Sequence, residues 1–240
     1  MSQRKQAIGS DIADKIDAVR QSIDQAAAKA GRNPADIHLL AVSKTRPAGD
    51  IKTAFDAGQH DFGENYLQDA IEKIQALQGL PITWHFIGRV QSNKTRPIAE
   101  NFSWVHTLSS LKHARRISEQ RPAQLPAMNV CIQVNISHEA SKGGINSDQV
   151  EPLAAEISKL PGIRLRGLMA IPEATENRQA QRKAFASLAA LFSQLNQKGF
   201  KLDTLSMGMS GDMEIAIEEG ATIVRIGTAI FGARPPQVNH

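Results

Sequence analysis

A single cysteine, Cys131, occurs in 240 residues, which excludes an internal disulfide and any cysteine metal cluster. It lies in Val130-Cys131-Ile132, a setting that suits core packing. No apolar run is long enough for a membrane span, and the first 24 residues scatter Ile8, Ile12, Ile16 and Ile23 among charges instead of forming a signal-peptide core. A soluble, cytoplasmic protein with no membrane partner is expected. One-sided charge is also missing. The 28 basic and 24 acidic residues leave a net +4 without a basic tail or aromatic-basic alternation, so no nucleic-acid partner is expected. There is no internal repeat, low-complexity tract or linker, and residues 1–240 are read as one domain, a monomer.

What is present is an ordered alternation. With 41% hydrophobic residues, the chain can bury a full core. Apolar, β-branched runs at 37–43, 60–63, 82–88, 104–108, 129–136, 165–171, 202–209 and 222–227 read as eight strands. A leading amphipathic helix within 1–31 carries Ile12, Ile16, Val19 and Ile23 on one side, with Gly31 as its stop. Helical patterns at 48–57, 65–77, 91–100, 110–119, 147–159, 178–197 and 212–219 separate the strands, with Ser147 or Asp148 as a candidate cap. The series predicts an α/β fold, a single (β/α)8 TIM-type barrel over about 37–232 with an extra N-terminal helix. An open doubly wound sheet is the competing arrangement.

A barrel places its chemistry at the C-terminal ends of the strands. The first strand runs into Lys44, where apolar surroundings can strip hydration from an amine and leave it able to condense with an aldehyde. The alternative is a solvated structural lysine. The seventh strand opens into Ser206-Met207-Gly208-Met209-Ser210-Gly211-Asp212-Met213 and the eighth into Gly227-Thr228. Such small-residue loops at barrel strand ends often bind phosphate through backbone N–H groups, though a glycine-rich segment taken alone is usually a plain turn, and it is their joint placement that favours phosphate. Arg225, inside Ile223-Val224-Arg225-Ile226, needs either a salt bridge or a ligand atom to offset its burial. An aldehyde for Lys44, a phosphate for Ser210, Gly227 and Thr228, and a ring heteroatom for Arg225 together describe pyridoxal 5′-phosphate. Arginine would hold that ring nitrogen unprotonated and weaken the electron sink. His85 and His106 read as hydrogen-bonded core or mouth residues, and no metal is predicted. Tyr66 can approach the pocket or pack on its helix; Met207, Met209 and Met213 read as adaptable packing; Lys142-Gly143-Gly144 is a partner contact or a turn.

Six ordered segments carry a resemblance: Ala41-Val42-Ser43-Lys44-Thr45, Phe62-Gly63-Glu64-Asn65-Tyr66, Trp84-His85-Phe86-Ile87-Gly88 with Gln91-Ser92-Asn93-Lys94, Arg166-Gly167-Leu168-Met169, Leu205-Ser206-Met207-Gly208-Met209-Ser210 and Val224-Arg225-Ile226-Gly227-Thr228. Over roughly 35–234 the chain resembles the pyridoxal phosphate homeostasis proteins. The resemblance implies a fold like the N-terminal barrel of alanine racemase, with cofactor joined to Lys44 as a Schiff base and phosphate contacts at Ser210, Gly227 and Thr228. It also implies ring-nitrogen contact at Arg225, and Asn65 and Met169 lining the pocket. Arg89-Val90 and Gly211 depart from the family pattern, at a surface loop and at the phosphate loop.

The function implied is pyridoxal phosphate (vitamin B6) homeostasis and cofactor supply without established turnover, with apo pyridoxal-phosphate enzymes as transient recipients. An amino-acid racemase or lyase is the alternative, and a Schiff-base aldolase a third. Racemisation needs a second base, which the racemases take from a separate β-domain, and a chain ending at His240 is expected to lack that domain.

Overall fold

The computed structural model describes residues 2–137 and 143–233. Its strands are β1 (His38–Val42), β2 (Asp61–Glu64), β3 (Thr83–Phe86), β4 (Trp104–Leu108), β5 (Met128–Gln133), β6 (Ile163–Met169), β7 (Thr204–Ser206) and β8 (Ile223–Ile226). Its helices are α1 (Ser2–Lys29), α2 (Ala48–Asp56), α3 (Leu67–Ala76), α4 (Thr95–Asn101), α5 (Leu111–Gln120), α6 (Ser147–Ile157), α7 (Arg178–Gln197), α8 (Met213–Glu218) and α9 (Thr228–Phe231). Each strand pairs in parallel with the next, and β8 returns to β1 through His38 opposite Ile223 and Ala41 opposite Ile226. The sheet is therefore a closed barrel and not an open doubly wound sheet. Parallel strands covered on both faces read as continuous apolar runs. Val130, Cys131 and Ile132 show the pattern, all buried on β5.

The expected elements are found with shifted edges. The apolar run 202–209 overshoots β7, which stops at Ser206 because Gly208 turns to φ +95° and its carbonyl accepts from the Arg225 N–H at 2.9 Å. Helix α1 begins well before residue 10, since residues 2–9 are mostly helix formers without an apolar stripe and so give no periodic signal. Its stripe of Ile12, Ile16, Val19 and Ile23 is buried against the barrel, and Gly31 at φ +66° follows its end. The cap of α6 is Asn146, not Ser147 or Asp148. Its N–H donates to Gln149 Oε1 at 3.2 Å, and this reciprocal bond makes Ser147 the first helical residue and not the cap. The stretch 91–100 divides into a 3-10 turn over Ser92–Lys94 and then α4. No helix among the described residues is long and apolar enough to cross a membrane.

Candidate cofactor site at the C-terminal mouth

Lys44 lies two residues past β1 in a tight turn closed by the Arg46 N–H donating to Ser43 O at 3.0 Å. Thr45 completes the turn at φ +65°, a left-handed conformation that is strained for a β-branched residue. Strain of this kind persists only where surrounding contacts over-determine it. Two sets of contacts do so. Arg46 Nη2 donates to Gly232 O at 2.6 Å and Ala233 O at 2.7 Å, tying the turn to the chain after β8. Behind it, Ser43 Oγ donates to Glu64 Oε1 at 2.6 Å, while Lys73 Nζ donates to Ser43 O at 3.0 Å and to Glu64 Oε1 at 2.9 Å.

This Ser43–Glu64–Lys73 cluster escaped the sequence reading. Glu64 is fully buried, and burial pushes its carboxyl up from the usual range while Lys73 and Ser43 pull it back. Asp69 closes the group with an ion pair of 2.7 Å to Lys73. A signal was present: Ala70, Lys73 and Leu77 fall at i, i+3 and i+7 on α3 and its end, all three buried, so Lys73 shares the helix face that meets the barrel.

Asn65 follows β2 at the mouth. Its Oδ1 is buried without a hydrogen bond among the described residues. Asn65, Gly88, Thr107, His113 and Gln133 help line a cavity of about 580 Å³. The glycine that ends the third apolar run has a specific reason, since a Cβ on Gly88 would lie 2.0 Å from Asn65 O. Thr107 Oγ1 donates to Gly88 O at 2.5 Å and holds the same loop from the other side.

Arg225, the third residue of β8, is 4% exposed. Its Nη1 donates to Ser206 O at 2.7 Å and Ser206 Oγ at 2.8 Å, and Nη2 to Ala170 O at 2.9 Å. The salt-bridge alternative is not what the fold builds: among the described residues no carboxylate pairs with this guanidinium. Burial lowers its pKa to about 10, with Asp212 acting the other way, so it remains a cation at neutral pH. The three bonds use three of five donors. Met169, at the end of β6 and in register with Ser206, is fully buried beside this group.

The two expected phosphate segments are neighbours. Met209 N–H donates to Asp212 Oδ1 at 2.6 Å and Asp212 N–H to Met209 O at 3.1 Å, folding a small loop with Ser210 exposed at its tip. Gly227 precedes α9, whose first residue Thr228 is exposed, and first-turn N–H groups have no helical acceptor. A Cβ on Gly227 would sit 3.3 Å from Val42 O, so this loop lies directly against the strand that leads to Lys44. Lys44, Asn65, Met169, Ser210, Arg225, Gly227 and Thr228 thus stand on β1, β2, β6, β7 and β8 or just past their ends.

His85 and His106 are buried and hydrogen-bonded to each other at 2.9 Å. Cys131 is core, its thiol pushed up to about 12 by burial and therefore unreactive. Tyr66 is 55% exposed where α3 begins. Met207 is buried, while Met209 is exposed at the loop. Lys94 is exposed, and Lys142 lies outside the described residues.

The alanine racemase N-terminal domain family matches residues 15–235. The pyridoxal phosphate homeostasis protein of Pseudomonas aeruginosa is 59% identical over 225 residues, 94% of this chain and 96% of its own. That of Escherichia coli K12 is 52% identical over 227 residues, 93% and 97% of the two chains. The structure of PipY from Synechococcus elongatus with PLP bound superposes at a TM-score of 0.80 with 33% identity, covering 92% of this chain and all of that one. An alanine racemase of Clostridium difficile shares the fold at a TM-score of 0.76 and 17% identity, over 95% of this chain and 58% of the racemase. With the barrel closed, the C-terminal ends of the six segments at one mouth, and relatives matched along nearly their whole length, the chain belongs to the pyridoxal phosphate homeostasis protein family, built on the alanine racemase N-terminal domain.

Proposed function

We propose that this protein binds pyridoxal 5′-phosphate at the C-terminal mouth of the barrel, held as a Schiff base on Lys44, and serves cytoplasmic vitamin B6 homeostasis as a single-domain monomer without catalytic turnover. The observation that carries the reading is Arg225: a buried guanidinium on β8 with donors left over, next to the strand that leads to Lys44. The residues fit the cofactor. Asn65 offers a buried oxygen without a hydrogen bond among the described residues, and Gly227 and Thr228 offer a side-chain-poor helix start for a phosphate, with Ser210 exposed on the adjoining loop. PipY, a relative of similar length, is known with PLP bound.

When bound, the cofactor supplies an aldehyde for the lysine and a ring able to withdraw electrons. Lys44 supplies the amine, and the Ser43–Glu64–Lys73 cluster fixes where that amine starts. Ser210, Gly227 and Thr228 anchor the anionic end. Arg225 donates to the ring nitrogen and, as a cation that keeps its proton, leaves that nitrogen unprotonated. That weakens the sink a carbanion would need and favours holding and passing on the cofactor, with apo enzymes as transient recipients.

The test combines binding and turnover. Loaded protein should absorb in the visible, and borohydride should fix the cofactor on the peptide containing Ser43-Lys44-Thr45; Lys44→Ala should lose both. Label found mainly on Lys94 or Lys142 would sink the assignment. In deuterated water, single-enantiomer alanine or serine should show no protein-dependent α-deuterium exchange over many turnovers. Exchange that disappears in Lys44→Ala would make the protein a racemase or lyase.

A further inference from the structure

Five polar side chains form one continuous chain through the barrel, from the N-terminal face to Arg225. Asp61 opens β2 and is part-exposed at a cavity of about 640 Å³ on that face, which His85, Trp104, Arg166 and Asp203 also line. Asp61 Oδ1 lies 3.0 Å from His85 Nε2, and His85 Nδ1 lies 2.9 Å from His106 Nε2. His106 Nδ1 reaches across from β4 to Ser206 Oγ on β7 at 2.7 Å, and Ser206 Oγ accepts from Arg225 Nη1 at 2.8 Å. Both imidazoles and Ser206 are buried.

The protons along this chain have a single consistent arrangement. An ionised Asp61 only accepts, so His85 must carry its proton on Nε2; being neutral, it then presents a lone pair at Nδ1. His106 must therefore donate from Nε2 and accept at Nδ1, and the Ser206 hydroxyl must donate into that nitrogen. The Ser206 lone pairs are left facing Arg225, which can only donate. Burial holds both imidazoles below their ordinary pKa. Asp61 opposes this at His85, His38 adds to it there, and Arg225 adds to it at His106, which keeps both rings in the neutral form the pattern needs. Every link is polarised the same way, and hydrogen bonds aligned in series inside a low-dielectric core strengthen one another.

We propose that His106 and His85 are positioning residues for Arg225, carrying the charge of Asp61 through the barrel to orient the guanidinium toward the cofactor ring. The inference rests on the cofactor reading above. It assigns a role to a carboxylate on the far face of the barrel, which touches neither Lys44 nor the phosphate loops. Removing that charge releases the pattern: with Asp61→Asn, His85 can reverse its tautomer, His106 follows and donates to Ser206 Oγ, and the Ser206 proton is no longer held on the His106 side, away from Arg225.

Two measurements test this. In the cofactor-free protein, nitrogen-15 spectra of the imidazoles should show His85 and His106 both protonated at Nε2 and neutral at pH 7, with the pattern altered in Asp61→Asn. In the loaded protein, Asp61→Asn and His106→Gln should each shift the pH titration of the visible band and speed cofactor release about five-fold, the net worth of one hydrogen bond. Adding Ser206→Ala to Asp61→Asn should then bring less than its separate effect, because the two act on one chain. Different tautomers, or an unmoved titration and release rate in a folded Asp61→Asn protein that still binds, would overturn the inference. A merely structural role would lower thermal stability and leave both readouts in place. If wild-type protein gives no visible band with pyridoxal phosphate, the cofactor reading falls and this inference with it, a result distinct from an unmoved titration.

Discussion

Ser43, the residue before Lys44, donates its hydroxyl to a Glu64 carboxylate with no solvent exposure, over 2.6 Å. The same serine gives its carbonyl to Lys73, so one residue is fixed through both its side chain and its backbone. The start of the lysine side chain is thereby set by a charged cluster in the core. Removing Glu64 leaves the buried Lys73 ammonium with only the part-exposed Asp69 carboxylate and the Ser43 carbonyl as partners. Glu64→Ala should cost about 3 kcal/mol in denaturant unfolding, and Glu64→Gln, which keeps an acceptor for Ser43, less. Equal losses in the two variants would show that the charge is not what matters.

Gly88→Ala should damage the mouth locally. The added Cβ would fall 2.0 Å from Asn65 O, a backbone atom that cannot step aside without moving the end of β2. Overpacking of this kind costs about 1–3 kcal/mol. Weakened pyridoxal phosphate binding together with a lowered melting temperature is the expected result. Unchanged affinity would separate Asn65 from the pocket.

Ser210→Ala should weaken cofactor retention while leaving attachment to Lys44 possible, because the phosphate anchors the ligand and the covalent bond only tethers it. A charge-assisted hydrogen bond contributes about 1.5–3 kcal/mol, so roughly ten- to hundred-fold lower affinity is expected by equilibrium titration. The exposed position of Ser210 at its loop tip makes the substitution safe for folding. An unchanged dissociation constant would remove this hydroxyl from the site.

Stability should fall on mild acidification. His85 and His106 have folded-state pKa values lowered from 6.5, chiefly by burial, so the unfolded chain takes up protons that the folded one resists. Their contribution is complete above pH about 6.5 and is lost as pH drops below it, by up to about 1.4 kcal/mol per pH unit for each imidazole. Glu64 has the opposite sign. Its raised folded pKa favours the folded state below 4.5 and that contribution is lost as pH rises through the folded value. Denaturant midpoints at pH 7.5, 6.5 and 5.5 in the cofactor-free protein would check this, and a flat profile for the wild type would contradict it.

Much of the molecule is determined by local sequence because its signals are local. Continuous apolar runs alternating with amphipathic stripes specify eight strands and their helices, as parallel strands must be apolar on both faces and each covering helix on one. Lys44 just past β1, Asn65 past β2 and the small residues past β7 and β8 follow from that order, since a barrel brings strand ends to one mouth. Strand edges were less legible: the run 202–209 looks extended to Met209, but Gly208 turns at φ +95° and ends β7 early. The cap at Asn146 was hidden by two good capping residues beside it. What only the tertiary structure decided is which buried polar groups meet. His106 and Ser206 are 100 positions apart, and only closure of the barrel and its register set their atoms 2.7 Å from each other. Ser43, Glu64 and Lys73 meet because β1, β2 and α3 pack there. Hydrogen bonds need geometry accurate to a few tenths of an ångström, and residue type and spacing along the chain do not carry that information across non-adjacent strands.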